Sequence, residues 1–163
     1  MSETYDFSEA DSIAVAAIGE PGQRVFLLQA RHGRAVLTLK IEKAQLASLV
    51  HYLAQLISEM PRPGELSELE PLDPSEPIDF VAGTMALQYD EGADRVEITI
   101  DEAGDPDGAQ AFVGMSRERA ASLAIEGTRL IEGGRPPCPL CGYPLDPNGH
   151  NCPRTNGHSA PTL

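Results

Sequence analysis

The residues best suited to chemistry lie in one short stretch near the C-terminus: Cys138-Pro-Leu-Cys141-Gly, then Gly149-His150-Asn-Cys152. Two residues between cysteines let both sulfurs reach one metal. The glycine after the second lets the backbone turn back and offer an amide N–H to a thiolate. His150 and Cys152, entered through Gly149, supply a second pair. Three sulfurs and one imidazole nitrogen complete a tetrahedron, so the pattern predicts one structural Zn2+ on Cys138, Cys141, His150 and Cys152. Four protein ligands leave no position for the water that a catalytic zinc activates. His158, nearer the terminus, is the competing fourth ligand.

Two other readings of these cysteines compete. A redox Cys-x-x-Cys opens a helix whose dipole lowers the thiol pKa, and Pro144 and Pro147 forbid a helix after Cys141. Metal-free folding would need an apolar core, which this segment almost lacks.

Elsewhere the signals are weaker. Asp101, Glu102, Asp105 and Asp107 miss the EF-hand spacing and its closing glutamate, so a solvated acidic turn is expected. His51 falls on a helix and His32 in a hairpin, each as an ordinary side chain. Gly19, Gly22 and Gly33 make no phosphate-binding pattern. No serine or cysteine has a partner base at recognisable spacing.

The chain has 163 residues, the size of one domain with an appendage. Its formal net charge of -13 opposes binding to nucleic acid or to an anionic membrane surface. No run approaches the roughly 20 apolar residues of a membrane span. Met1 to Asp11 is acidic and lacks the features of a signal peptide. Three cysteines make no disulfide framework, and reduced thiolates place the protein in the cytoplasm.

The elements that position these residues follow from periodicity. Strands are expected over 13–19, 24–31 and 34–41, with a turn at Glu20-Pro21-Gly22 and a two-residue connection at His32-Gly33. In the third, Leu37, Leu39 and Ile41 alternate with Thr38 and Lys40, which predicts one buried face. From Lys43, apolar residues recur from Leu46 to Met60 at helical spacing until Pro61 stops them. Residues 61–77 hold five prolines, five acids and one base, a semi-extended, solvated connection with little to pack. Fully stretched it reaches about 50 Å. Strands follow at 80–89, 95–101 and 111–114, and then a helix capped by Ser116, running to about Glu132 and ended by Gly133-Gly134.

The expectation is therefore an α+β fold of two β-β-β-α halves, 1–60 and 78–133, in a two-layer sheet/helix domain. Residues 61–77 link the halves, which could be an internal duplication. Residues 134–163 form the zinc-binding tail.

Gly134-Arg-Pro-Pro-Cys-Pro-Leu-Cys and Pro144-Leu-Asp-Pro-Asn-Gly-His-Asn-Cys-Pro-Arg resemble the C-terminal signature of an uncharacterised bacterial family. It is known only as domain of unknown function three-zero-nine-zero. Gly22-Gln-Arg-Val-Phe-Leu-Leu-Gln-Ala is similar to its early strand, and Val81-Ala-Gly-Thr-Met-Ala-Leu to its mid-chain strand. The resemblance covers most of the chain and implies Cys138, Cys141, His150 and Cys152 as the matched positions. It implies no activity.

Three functions fit these features. The first is a non-enzymatic, zinc-containing adaptor that meets a protein partner. The second is an enzyme or small-ligand binder with a pocket between the halves and zinc as scaffold; a cleft holding His51 or His32 beside carboxylates would favour it. The third, a nucleic-acid-binding zinc ribbon, lacks the basic stripe and the aromatics it would need.

Overall fold

The structure, a computed structural model, describes residues 2–20, 22–60, 64–66 and 68–133. Seven strands and two helices follow one another as β1 (Thr4–Phe7), β2 (Ser12–Ile18), β3 (Val25–His32), β4 (Ala35–Ile41), α1 (Lys43–Ser58), β5 (Phe80–Asp90), β6 (Arg95–Glu102), β7 (Gln110–Met115) and α2 (Arg117–Glu132). The fold is mixed α/β. No helix among the described residues is long and apolar enough to cross a membrane.

All seven strands join one sheet in the order β1-β7-β6-β5-β4-β3-β2. Laid flat, its outer strands would be about 29 Å apart, at roughly 4.8 Å per neighbour. Yet those two strands are consecutive in the chain, and Phe7 to Ser12 spans at most about 19 Å at roughly 3.8 Å per Cα step. The sheet must therefore curl until its edges approach. His32 Nδ1 lies 2.9 Å from the Glu9 carbonyl, joining the β1–β2 connection to the end of β3.

The concave face carries the core in cross-strand rows. Met85, Ile100, Ala111 and Tyr5 stand opposite one another, as do Leu87, Ile98, Val113 and Phe7. Ile13, Ala30 and Leu37 make a third row and Val15, Leu28 and Leu39 a fourth. Both helices bury their apolar stripes in the same cluster, α1 through Leu46, Leu49, Val50 and Leu53, α2 through Ala120, Leu123 and Ala124. Ser116 Oγ accepts the Arg119 N–H at 3.2 Å, the cap expected of it. Glu42 and Gln45 form a capping box at the start of α1, in which Gln45 Oε1 accepts the Glu42 N–H at 2.7 Å.

Three expectations need correction. The acidic N-terminus contains a strand, β1, that pairs in parallel with β7; four residues are too few for periodicity to reveal. The β3–β4 turn is Gly33-Arg34, one residue later than expected, because the ladder runs to His32 opposite Ala35 and Gly33 takes a φ of 59°. The Pro-rich connection packs more than its composition implied. Gly64 N–H donates to Glu118 Oε1 at 3.0 Å, and Leu69 packs against the core. Asp73 N–H donates to Gln29 Oε1 while Gln29 Nε2 donates to the Asp73 carbonyl, both at 3.0 Å. The described residues of this segment, 64–66 and 68–77, form a strap. From α2 it passes the β2 edge and covers the convex side of β3 and β4, where Gln29 is only 2% exposed and Thr38 fully buried. The alternation in β4 thus reported one buried face where there are two.

Candidate docking groove

The zinc positions Cys138, Cys141, His150 and Cys152, and the competing His158, lie outside the described residues. Among the described residues, no group of three or more His, Cys, Asp or Glu side chains could hold a metal. His51 is exposed on α1, its ring edge-on to Tyr52 at 5.5 Å. His32 is exposed 3.9 Å from the Asp11 carboxylate, on the surface and outside any cleft described here. The acids after β6 are occupied in shaping their own turn: Asp105 accepts the Asp107 N–H at 2.9 Å, and Glu102 accepts that of Ala109 at 2.7 Å.

A concavity among the described residues lies between α1 and β5, and its origin is a mismatch of strand lengths. β4 has 7 residues and β5 has 11. They pair only at Leu39–Phe80 and Lys40–Val81; then Glu42 leads β4 into α1 and β5 runs on alone. Between Ala82 and Met85 the β5–β6 register shifts by a bulge, which adds one residue and keeps Met85 on the concave face. Gly83 is required there, since a Cβ would sit 2.9 Å from the Ala103 Cα. Gln45 Nε2 anchors the bend by donating to the Ala82 and Gly83 carbonyls at 2.9 and 2.8 Å.

Beyond this anchor, α1 and β5 flank a groove of about 630 Å³. Met85 and Leu87 form its floor, and Leu49, Tyr52 and Leu56 its helical wall. Tyr52 is 58% exposed although it is apolar over most of its ring. Glu59 at the far end is the carboxylate among the described lining residues, which include no Lys, Arg or His. At the tip of the β5–β6 hairpin the Tyr89 hydroxyl donates to Asp94. That bond raises the phenol's pKa, and with Arg117 beside it the Asp94 carboxyl falls below its usual range. Arg117 Nε is 2.8 Å from the same carboxylate. These charges pair with one another outside the groove, whose own lining combines Leu49, Tyr52, Leu56, Met85 and Leu87 with Gln45, Ser48, Gln55 and Glu59.

Sequence reasoning missed Gln45, Tyr52, Leu56, Met85 and Leu87 as a group. The available signal was the four-residue excess of β5 over β4, together with an aromatic on the polar side of α1. Neither shows that the two elements run side by side.

The family model described as "Protein of unknown function (DUF3090)" matches residues 5–152. No curated protein and no solved structure matches the chain.

Proposed function

We propose, for a chain that belongs to the DUF3090 family, a non-enzymatic role as a cytoplasmic zinc-binding adaptor that engages a protein partner. The observation that carries this is the α1–β5 groove, an open, largely apolar channel with no base and no paired carboxylate among the described residues of its lining. Such a surface offers burial and shape, the terms that dominate protein recognition, and little for acid–base chemistry. The Cys138, Cys141, His150 and Cys152 spacing supports one structural Zn2+ in a separate C-terminal unit. A net charge of -13 directs the protein away from nucleic acids and membranes. The groove also carries the second reading, a small-ligand or enzyme site between the two halves, since about 630 Å³ falls in the range of ligand pockets.

A photo-crosslinking residue at Tyr52, compared with one at exposed Ser75, separates the two in cells. Covalent capture of a discrete protein from position 52 alone is the expected result. Capture of small molecules only, or of nothing, would overturn the adaptor reading. Metal analysis of protein purified without chelator, repeated on His150→Ala and His158→Ala, tests the zinc. One equivalent weakened by the His150 change alone is expected; metal-free protein with reactive thiols would return Cys138 and Cys141 to a redox reading.

A further inference from the structure

We infer that the groove binds its partner by strand addition: an extended, basic segment of another protein pairs with the open edge of β5 beneath α1. This rests on the adaptor reading above. Among the described residues no strand pairs with β5 past Val81 on the β4 side, although β5 continues to Asp90. Every second residue there turns its N–H and C=O away from β6 into the space where β4 would have continued. The groove beside that edge is lined by Tyr52 and Leu56 of α1 and by Met85 and Leu87 of β5. Gln45 already shows the edge acting as an acceptor, since its side-chain amide takes the first two carbonyls. Backbone pairing along such an edge supplies affinity, and a pocket for alternate side chains supplies specificity.

Charge and composition select the occupant. A second copy would bring another net charge of -13, a repulsion that opposes close pairing. The chain's own C-terminal tail carries Pro136, Pro137, Pro139, Pro144, Pro147, Pro153 and Pro161, and proline removes the N–H that a ladder needs. A segment from another protein, with apolar residues at alternate positions and Lys or Arg near the Glu59 end, satisfies the edge, the apolar channel and the charge together.

The test uses full-length protein and a ten-residue peptide of alternating valine and threonine with an arginine at each end. A counterpart N-methylated at alternate residues is the control. Binding read by the backbone amide signals of Met85 to Asp90 is expected for the first peptide. Methylation is expected to weaken it about tenfold or more, as is Glu59→Lys. Equal binding of both peptides would overturn strand addition and leave the groove as a side-chain docking site. Binding of neither, with a protein still captured at position 52, would overturn this inference and spare the adaptor reading. Those Met85–Asp90 amides that face away from β6, if already protected from exchange without peptide, would assign the edge to the chain's own tail if the protein sediments as a monomer. In a dimer they would assign it to a second copy; either result overturns the proposal.

Discussion

Two strand edges in this molecule meet different fates. The β2 edge, at one end of the sheet, lies under the strap that runs from α2 past Val15 to the convex face. The β5 edge past Val81 lies beside the largely apolar groove and, among the described residues, is bonded on its β4 side by Gln45. Exposed edges invite pairing with other chains, and proteins cover the ones they do not use. A chain that devotes a Pro-rich segment to shielding one edge, and whose described residues leave most of a longer one uncovered, separates a protected surface from an available one. The lesson is that cover, and not strand length or apolarity alone, marks where a partner is expected.

The largest expected effect comes from uncovering the protected side. Gln29 donates to Thr38 Oγ1 and to the Asp73 carbonyl, accepts the Asp73 N–H and receives Arg31 Nη2 at 3.3 Å. Gln29→Ala removes all of these at a site where Gln29 and Thr38 are buried and Asp73 is partly so. Each backbone group left without a partner costs about 1–3 kcal/mol, so a total loss of about 2–4 kcal/mol is expected in urea unfolding. Limited proteolysis should then cut near Asp73 before the sheet opens. A variant that melts like wild type with an intact strap would show that the strap is held by something other than Gln29.

A smaller effect sharpens the other side of the comparison. At 100° per residue, Leu46 and Val50 face α2, whereas Tyr52 and Glu59 lie on nearly the opposite side of α1, in the groove. Gly127 of α2 sits against that first face: an added methyl would overlap the Val50 side chain and approach Leu46 Cδ1 to 3.3 Å. Gly127→Leu therefore pushes α1 toward β5. Overpacking of this kind costs about 1–3 kcal/mol, and the groove should narrow with it. The checks are chemical denaturation and the exposure of Tyr52 to quenchers. Unchanged Tyr52 exposure alongside lost stability would place the displaced volume elsewhere.

These contrasts also show what the sequence could reveal. Periodicity located six strands and both helices, because alternation in β4 and β6 and the stripe of α1 depend on neighbours within one element. Ser116 was legible as a cap for the same reason. The strap was not legible, since Gln29 and Asp73 are 44 residues apart and a single buried glutamine in β3 carries no periodic signal. The groove was not legible either, because it arises from two strands of unequal length meeting at Leu39–Phe80, and pairing register is a tertiary fact. The candidate zinc site inverts this pattern. Its spacing was the clearest signal in the chain, and Cys138, Cys141, His150 and Cys152 lie outside the described residues.

The smallest effect concerns the point where the strap leaves α2. Glu118 accepts the Gly64 N–H at 3.0 Å. That bond, then its own backbone N–H and Arg117, hold its carboxyl below the usual value of 4.5 against the opposing cost of burial. A carboxyl whose folded pKa is depressed contributes stability above its unfolded pKa and loses it as pH falls through the folded one. Between pH 6 and 3 the Gly64 amide signal should therefore shift with a midpoint below 4.5, and the shift should vanish in Glu118→Gln. The stability at stake is below about 1 kcal/mol, as for most partly exposed charge-assisted contacts. A midpoint at or above the ordinary glutamate value would mean that Glu118 does not hold the strap, leaving the Gln29–Asp73 pair to fix its path over the protected edge.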